Sequence, residues 1–277
     1  MTMPELPEIE ILRRDLEKEV SGRKIKQVDV PITATIKRAG TKKSLAARLE
    51  GAKIDKVIRK GLWILFKLDT GEIAMMSLGD RSQITRNQNK DAVDKSTAVI
   101  LTFTQGGQLR ISDPAKSCEF FVVDASEVDD VIGEVGFDLV DEPVSWTKFG
   151  ERLLRRKGKL KAILMEPSML AGIGMVYSDE FLFEASLRFD RSPDTLTTQE
   201  IRRLYRAVVE IIHDSVKHGG ATVGEHGVLT LAGKPGGYTS MINVYGRDGQ
   251  MSPRARGPIA KSKFGSGYTY YCEQTQN

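Results

Sequence analysis

Carboxylates are concentrated at the beginning of the chain, in residues 3–10 (MPELPEIE). Glu5 and Glu8 stand at the start of a predicted helix, where a carboxylate can transfer protons or simply stabilise the helix. The structural effect is roughly 0.3–1 kcal/mol for each group, because the N-terminal end of a helix favours negative charge. This segment alone does not decide between the two roles, so the other motifs must.

A second motif is the glycine pair Gly172 and Gly174, which lies within residues 170–183 (LAGIGMVYSDEFLF). A Gly-x-Gly sequence between two predicted helices is commonly only a tight connection. It can also present the N–H groups of the second helix to a phosphate. The basic residues 155–161 (RRKGKLK) precede it and fit either a solvated helix face or a DNA-facing strip.

Together these segments resemble the formamidopyrimidine-DNA glycosylase / endonuclease VIII family. Residues 233–236 (GKPG) and 244–247 (VYGR) continue the resemblance in the family's order, across most of the chain. The resemblance implies a base-excision repair protein that binds damaged double-stranded DNA. It implies a DNA N-glycosylase with AP lyase activity, and a helix–two-turn–helix motif whose turn binds a DNA phosphate.

The resemblance places the family's catalytic residues at Pro4, Glu5 and Glu8. In the family the N-terminal proline amine attacks C1′ of the damaged nucleotide and forms a Schiff base, and the following glutamate acts as acid and base. An α-amino group titrates near pH ~8, so part of it is neutral and nucleophilic at physiological pH. Two residues precede Met3. A start at Met3 would let Pro4 become N-terminal and a start further upstream would not, and the sequence leaves both open.

The DNA-binding residues that the resemblance implies are spread along the chain. They are Lys60, Gly172, Gly174, Tyr177, Lys234, Arg247, Arg254 and Lys261. Lys60 is included because the family's phosphate-binding lysine aligns with Leu62, and β alternation would place Lys60 on the same face as Leu62. The other interpretation of Lys60 is an ordinary surface lysine.

Several positions depart from the family's pattern. Asp80 and Ser117 replace side chains that fill the space left by a flipped base, and an aspartate beside a DNA stack is repelled by phosphates. Met175 replaces an asparagine that donates to phosphate, and Gly267 aligns near the phosphate-binding arginine of the family's C-terminal finger. These changes favour an alternative, a catalytically weak or inactive paralogue that binds damaged DNA. A further alternative keeps the fold but binds RNA or protein.

The finger of the family holds zinc with four cysteines. Ser252, Ala255 and Thr275 occupy three of the corresponding positions, and only Cys272 remains. We therefore expect no metal and no other cofactor, with a zinc-less finger that tyrosines pack instead.

Composition indicates a globular protein. Of the 277 residues 40% are hydrophobic and 28% are charged, and the net charge of +4 permits a polyanionic partner without requiring one. We expect no membrane-spanning segment, because charge interrupts every long apolar cluster. The acidic beginning does not resemble a secretion signal, which predicts a cytoplasmic, nucleoid-associated location. A monomer is expected, since no coiled-coil pattern occurs.

Hydrophobic periodicity predicts the α+β fold class. The order is an N-terminal helix plus a β-sandwich, then a helical domain with a C-terminal β-hairpin that has a long basic turn, and the resemblance implies that the helical domain is a helix–two-turn–helix domain. A helix is predicted in residues 8–20, and Thr197 with Glu200 has the capping-box spacing at the start of another helix that Gly219 and Gly220 end. The predicted domains are residues 1–125 (catalytic-type β-sandwich), 126–145 (linker), 146–236 (helix–two-turn–helix) and 237–277 (finger).

Overall fold

The computed structural model of the protein describes residues 3–224 and 227–277. These residues form two compact units. Unit 1 contains the residues up to Pro4 together with Glu8–Gly133 and Ala221–Gly236, and unit 2 contains Glu5–Pro7, Glu134–Gly220 and Gly237–Asn277. No helix in the described ranges is both long and apolar enough to cross a bilayer.

The first half of the chain is mostly β-sheet with flanking helices. Its helices are α1 (Leu6–Val20), α2 (Lys42–Leu49) and α3 (Val128–Ile132). Its strands are β1 (Ile25–Asp29), β2 (Ile54–Lys60), β3 (Trp63–Leu68), β4 (Glu72–Ser77), β5 (Gln83–Asn87), β6 (Thr97–Phe103), β7 (Gln108–Ser112) and β8 (Glu119–Asp124).

Two four-stranded antiparallel sheets make the sandwich of unit 1. One sheet has the order β1-β6-β7-β5 and the other has the order β2-β3-β4-β8. Apolar side chains from both sheets meet in one buried cluster, to which α1 contributes Ile9, Leu12, Leu16 and Val20. The helix-plus-sandwich arrangement predicted from periodicity is therefore confirmed, because the side chains at helical spacing are the ones that are buried.

Residues 221–224 and 227–236 belong to unit 1, although the predicted helix–two-turn–helix domain included them. The side-chain amide of Gln83 donates to the carbonyl of Gly227 and accepts from the N–H of Leu229, both at 3.0 Å. Val228 and Leu231 are buried in the sandwich core. These contacts join residues far apart in sequence, so local pattern does not reveal them.

Unit 2 is mainly helical. Its helices are α4 (Trp146–Leu154), α5 (Leu160–Leu164), α6 (Met175–Glu184) and α7 (Thr198–Lys217). The predicted capping box is confirmed, because the Thr197 hydroxyl accepts from the Glu200 N–H and the Glu200 carboxylate accepts from the Thr197 N–H. Gly219 and Gly220 end α7 with φ of 83° and 75°, which glycine adopts without strain.

The C-terminal hairpin consists of β9 (Ala260–Phe264) and β10 (Gly267–Tyr271). The hairpin prediction is confirmed, but the long basic turn is wrong. Only residues 265–266 join the two strands, and Arg254 precedes the hairpin. Five cross-strand pairs join the two strands.

A buried ion pair connects the hairpin to the helices of unit 2. The ammonium of Lys161 lies 2.6 Å from the Asp179 carboxylate, and both side chains are essentially inaccessible, at 0% and 1% exposure. Asp179 also accepts from the Thr269 hydroxyl at 2.5 Å and from the Tyr270 N–H at 2.9 Å. Burial raises the pKa of Asp179 to about 6, although Lys161 and these hydrogen bonds favour its ionised form.

We expect Lys161→Met to reduce the free energy of unfolding by about 3–5 kcal/mol at pH 8, because it leaves Asp179 charged and unpaired in the interior. Without Lys161 the pKa of Asp179 rises further, so the folded variant takes up a proton that the unfolded chain lacks. The deficit relative to the wild type should therefore shrink as the pH falls to about 5. Urea unfolding at both pH values measures it.

The matched control is Lys157→Met, which removes an exposed lysine from the same basic segment. We expect it to leave stability nearly unchanged at both pH values. If Lys161→Met reduces the free energy of unfolding by the same amount at pH 5 and pH 8, the result contradicts a stabilising role of the buried Lys161–Asp179 ion pair.

Candidate functional site

The Glu5 carboxylate lies at the N-terminus of α6. Its oxygens accept hydrogen bonds from the N–H groups of Gly174 at 2.6 Å, Val176 at 2.8 Å and Tyr177 at 3.3 Å. The first N–H groups of a helix have no partner within the helix, and the helix dipole favours negative charge there. The side chain is therefore held by charge-assisted bonds and is only 6% exposed.

Both glycines of the Gly-x-Gly turn are required by this arrangement, for different reasons. Gly172 has φ of 66°, a conformation that favours glycine, and its carbonyl accepts from the Leu6 N–H at 2.7 Å. A Cβ on Gly174 would lie 2.8 Å from Cδ of Glu5. The positive φ of Gly172 and the missing Cβ of Gly174 therefore let the Glu5 side chain reach the N-terminus of α6.

The other two predicted catalytic residues belong to unit 1. Pro4 is buried and directly precedes Glu5 in the chain. Glu8 is buried on α1, and its carboxylate accepts from the Ala221 N–H at 2.7 Å. Their catalytic roles stay a prediction.

The prediction that alternation places Lys60 on the face of Leu62 is wrong. β2 ends at Lys60, and residues 61–62 form the turn to β3, so strand alternation does not apply between them. Lys60 pairs with Asp129 at 2.7 Å, and Leu62 packs against the sandwich core. The role of Lys60 in DNA binding stays a prediction.

The other predicted DNA-binding residues differ in burial and in the partners of their hydrogen bonds and ion pairs. Tyr177 is only 1% exposed, and the N–H groups of Gly174 and Tyr177 donate to Glu5. Arg247 donates to the Ile242 carbonyl, and Arg254 pairs with Glu184. Lys234 and Lys261 are both exposed.

A second buried carboxylate, which sequence reasoning missed, fixes the VYGR segment. Glu180 on α6 accepts from the N–H groups of Asn243, Val244 and Tyr245 at 2.8–2.9 Å. Burial raises the pKa of Glu180, and the three N–H donors oppose this rise. The available signal was an acidic pair, Asp179 and Glu180, inside an otherwise apolar helix.

Two departures from the family's pattern lie side by side in unit 1. A Cβ on Gly79 would collide with Ser117, so the loop that carries Asp80 lies against the loop that carries Ser117. Asp113 shapes the second loop, because its buried carboxylate accepts from the N–H groups of Ser117 and Cys118. A short hydroxyl and an acidic side chain thus occupy neighbouring positions.

Two further departures lie together in unit 2. A Cβ on Gly267 would lie 3.3 Å from Cε of Met175. The resemblance assigns both positions to the family's phosphate contacts. An apolar thioether beside a residue without a side chain cannot donate a hydrogen bond to a phosphate.

The residues at the family's zinc positions do not fit zinc. Ser252 and Thr275 lie near the Cys272 thiol, and Ala255 packs against the buried cluster that contains Cys272. Zinc in such a site needs four sulfur or imidazole ligands, and only one is present. Among residues 3–224 and 227–277, no three His, Cys, Asp or Glu side chains are grouped to hold a metal ion.

Comparison with known proteins agrees with the motifs. Residues 3–119 match the model of the formamidopyrimidine-DNA glycosylase N-terminal domain, and residues 135–226 match that of the formamidopyrimidine-DNA glycosylase H2TH domain. The formamidopyrimidine-DNA glycosylase of Pelotomaculum thermopropionicum is 31% identical over 276 residues, which cover 99% of each chain. The chain belongs to the formamidopyrimidine-DNA glycosylase family. The family predicted from the motifs is therefore confirmed, and a Bacillus cereus relative of the same name is 30% identical over 98% of each chain.

Solved structures of the family share the fold. The crystal structure of the Fpg protein from Thermus thermophilus superimposes with a TM-score of 0.87, at 29% identity over 99% of this chain and 98% of that one. Lactococcus lactis Fpg in complex with DNA containing an abasic site gives a TM-score of 0.91, at 24% identity over 99% of both chains. The predicted fold class is confirmed.

We expect Gly174→Ala to displace the Glu5 carboxylate from the α6 N–H groups, because the added methyl group occupies its place. Buried N–H groups left without an acceptor should reduce the free energy of unfolding by about 1–3 kcal/mol. Urea unfolding measures the loss. Gly267→Ala is the control: it meets only the flexible end of Met175 and should change stability by less than about 0.5 kcal/mol. Equal effects of the two substitutions would contradict the account.

Proposed function

We propose that the protein is a DNA glycosylase of base excision repair that acts on damaged double-stranded DNA, with AP lyase activity through the amine of Pro4. The observation that carries the proposal is the position of Glu5. Its carboxylate directly follows Pro4 in the chain and is fixed by three N–H groups of α6. This chemistry requires an acid or base held in one orientation, and Glu5 is the residue next to the proposed nucleophile in the chain.

In the proposed reaction the neutral amine of Pro4 attacks C1′ of the damaged nucleotide, and the bond from C1′ to the base breaks. The base leaves with the electron pair of that bond and takes up a proton. The secondary amine loses its proton, and ring opening of the sugar gives an iminium ion. Glu5 is proposed to relay these protons, and Glu8 is proposed as the third catalytic residue. Removal of a proton from C2′ then expels the 3′ phosphate and cleaves the strand.

A second candidate function is damaged-DNA binding with weak or no chemistry. The pair Met175 and Gly267 favours it, because an apolar contact stands where the family's phosphate donors align. Asp80 and Ser117 favour it too, since neither side chain can wedge into a base stack as an aromatic ring does. Under both candidates the partner is DNA, and we propose a cytoplasmic, nucleoid-associated location on that ground.

Borohydride trapping distinguishes the two candidates. A chain processed to Pro4 and a chain that begins at Met1 are each incubated with duplex DNA that contains an abasic site. Borohydride reduces an iminium to a stable amine, so covalent adducts can be counted on a denaturing gel. We expect adducts with the Pro4 chain alone. Glu5→Gln in that chain should slow release of a damaged base by about 100-fold or more.

The control is equilibrium binding of the same chains to the abasic duplex. Glu5→Gln turns one acceptor oxygen into an NH2 group that faces an N–H group of α6. Its urea unfolding is therefore measured beside its binding, and slower base release is assigned to the lost acid or base only where the variant is folded and binds the duplex. Binding without adducts from the Pro4 chain would overturn the lyase proposal and support the second candidate.

A further inference from the structure

A basic cavity lies in unit 2, between α4 and the segment that contains Phe137. Its volume is about 520 Å³, within the range of about 300–1,000 Å³ that ligand pockets usually have. One aromatic ring and five charged side chains line it: Phe137, Lys148, Glu151, Arg152, Arg155 and Arg156. Four cations face a single carboxylate, so the cavity suits a ligand that is mainly anionic.

One wall of the cavity is a face of α4. Lys148, Glu151, Arg152 and Arg155 are spaced at i, i+3, i+4 and i+7, so their side chains project from the same side of the helix. Buried side chains on the other side of α4 hold the helix in unit 2. Along the helix axis Lys148 and Arg152 are about 6 Å apart, and Arg155 follows about 4.5 Å further on. The cations therefore form a short row.

The opposite wall is fixed by the backbone. The N–H of Phe137 donates to the Met169 carbonyl at 3.1 Å, and the Phe137 carbonyl accepts from the Ala171 N–H at 3.0 Å. A Cβ on Gly136 would lie 2.6 Å from the carbonyl carbon of Met169, so the two segments are in close contact. The Arg152 guanidinium lies 3.8 Å from the centroid of the Phe137 ring and connects the two walls.

Two of the guanidinium groups are oriented before any ligand arrives. Arg156 donates to the Ser168 hydroxyl at 3.1 Å and pairs with Glu166 at 3.4 Å. Arg152 donates to the Ser168 carbonyl at 3.4 Å. A guanidinium has five N–H donors, so both groups keep donors for a ligand. Side chains that are already held lose little rotamer freedom on binding, which favours affinity.

The other two cations of the cavity, Lys148 and Arg155, are exposed. Within the described part of the chain, neither side chain makes a hydrogen bond or an ion pair. They can therefore contact an anion without breaking an interaction of the folded protein. The cavity combines two oriented guanidinium groups with two cations that are free to close on a ligand.

Glu151 indicates which class of anion fits. Its carboxylate can only accept hydrogen bonds, and it repels a ligand that has anionic acceptors alone, such as a phosphate chain. A peptide supplies backbone N–H donors for Glu151, and its aspartates or glutamates supply acceptors for arginine forks. Alternate side chains of an extended peptide lie about 6–7 Å apart, close to the spacing of Lys148 and Arg152.

We propose that the cavity binds an acidic peptide segment of a partner protein. Carboxylates at alternate positions of the peptide contact Lys148, Arg152 and Arg155, and a peptide N–H donates to Glu151. The inference goes beyond the proposed glycosylase activity, because it requires neither a lesion nor a free amine at Pro4. None of the lining residues is among the proposed catalytic residues, so the site provides an attachment to another protein.

The test is fluorescence anisotropy with the full chain and a short labelled peptide in which aspartate alternates with serine. We expect the double substitution Lys148→Ala with Arg155→Ala to weaken binding by about 10-fold or more, because it removes two charge-assisted contacts. Arg155→Lys keeps the charge but loses the fork, so it should weaken binding by a smaller factor.

The matched control is Arg206→Ala, which removes an exposed arginine of α7 outside the cavity. It should leave peptide affinity unchanged, and so should replacing the peptide's serines by glycine. A peptide in which asparagine replaces aspartate should not bind. Equal weakening by Arg206→Ala and by the double substitution would show attraction to the whole basic surface and would overturn the inference.

Competition distinguishes the peptide from other anions. Inorganic tripolyphosphate has no N–H donors and should displace the peptide poorly. An intact DNA duplex should leave the peptide bound. Displacement by either competitor as effective as by unlabelled peptide would overturn the inference, the first in favour of a phosphate site and the second in favour of nucleic acid.

The inference and the proposed function fail separately. The double variant should unfold at the temperature of the wild type, because both side chains are exposed and unpaired. In the chain processed to Pro4 it should leave the yield of trapped abasic adduct unchanged. Loss of peptide binding with normal adduct formation supports the inference. Normal peptide binding by the double variant overturns the inference, whereas an absence of adducts from the parent Pro4 chain overturns only the lyase proposal.

Discussion

The Glu5 carboxylate at the N-terminus of α6 is the interaction on which the arrangement of the proposed catalytic segment depends. Three N–H groups without partners in the helix converge on one carboxylate, which satisfies them and fixes the side chain at the same time. The Gly-x-Gly turn exists in this form because Gly172 needs positive φ and Gly174 must have no Cβ. The family resemblance implies that the same turn binds a DNA phosphate. In this chain its N–H groups already have an internal anion, so binding of a phosphate there requires donors that Glu5 does not use.

Two buried carboxylates organise unit 2. Asp179 and Glu180 are adjacent on α6, and both are inaccessible to solvent. Asp179 holds β10 together with Lys161, whereas Glu180 holds residues 243–245 through three N–H groups. A buried charge is costly unless it is paired and hydrogen-bonded, so each carboxylate restricts its neighbours to a narrow geometry. The hairpin is therefore attached to the helices of unit 2 through Asp179.

Local sequence patterns predicted the helices and strands, whereas the geometry of the candidate site depends on contacts between residues that are far apart in sequence. The periodicity of α1 and the capping box of α7 are properties of a few consecutive residues, and both predictions are confirmed. The motif around Glu5 identified the family, but its partner N–H groups lie about 170 residues away and follow from no local rule. Strand alternation does not relate Lys60 to Leu62, because β2 ends at Lys60 and residues 61–62 form a turn.

The most direct test of the central claim is a crystal structure of the borohydride-trapped adduct between the Pro4 chain and abasic DNA. The account predicts the Pro4 nitrogen bonded to C1′ while the Glu5 carboxylate still accepts hydrogen bonds from the N–H groups of Gly174, Val176 and Tyr177. A DNA phosphate bound to those three N–H groups, with Glu5 displaced, would contradict it.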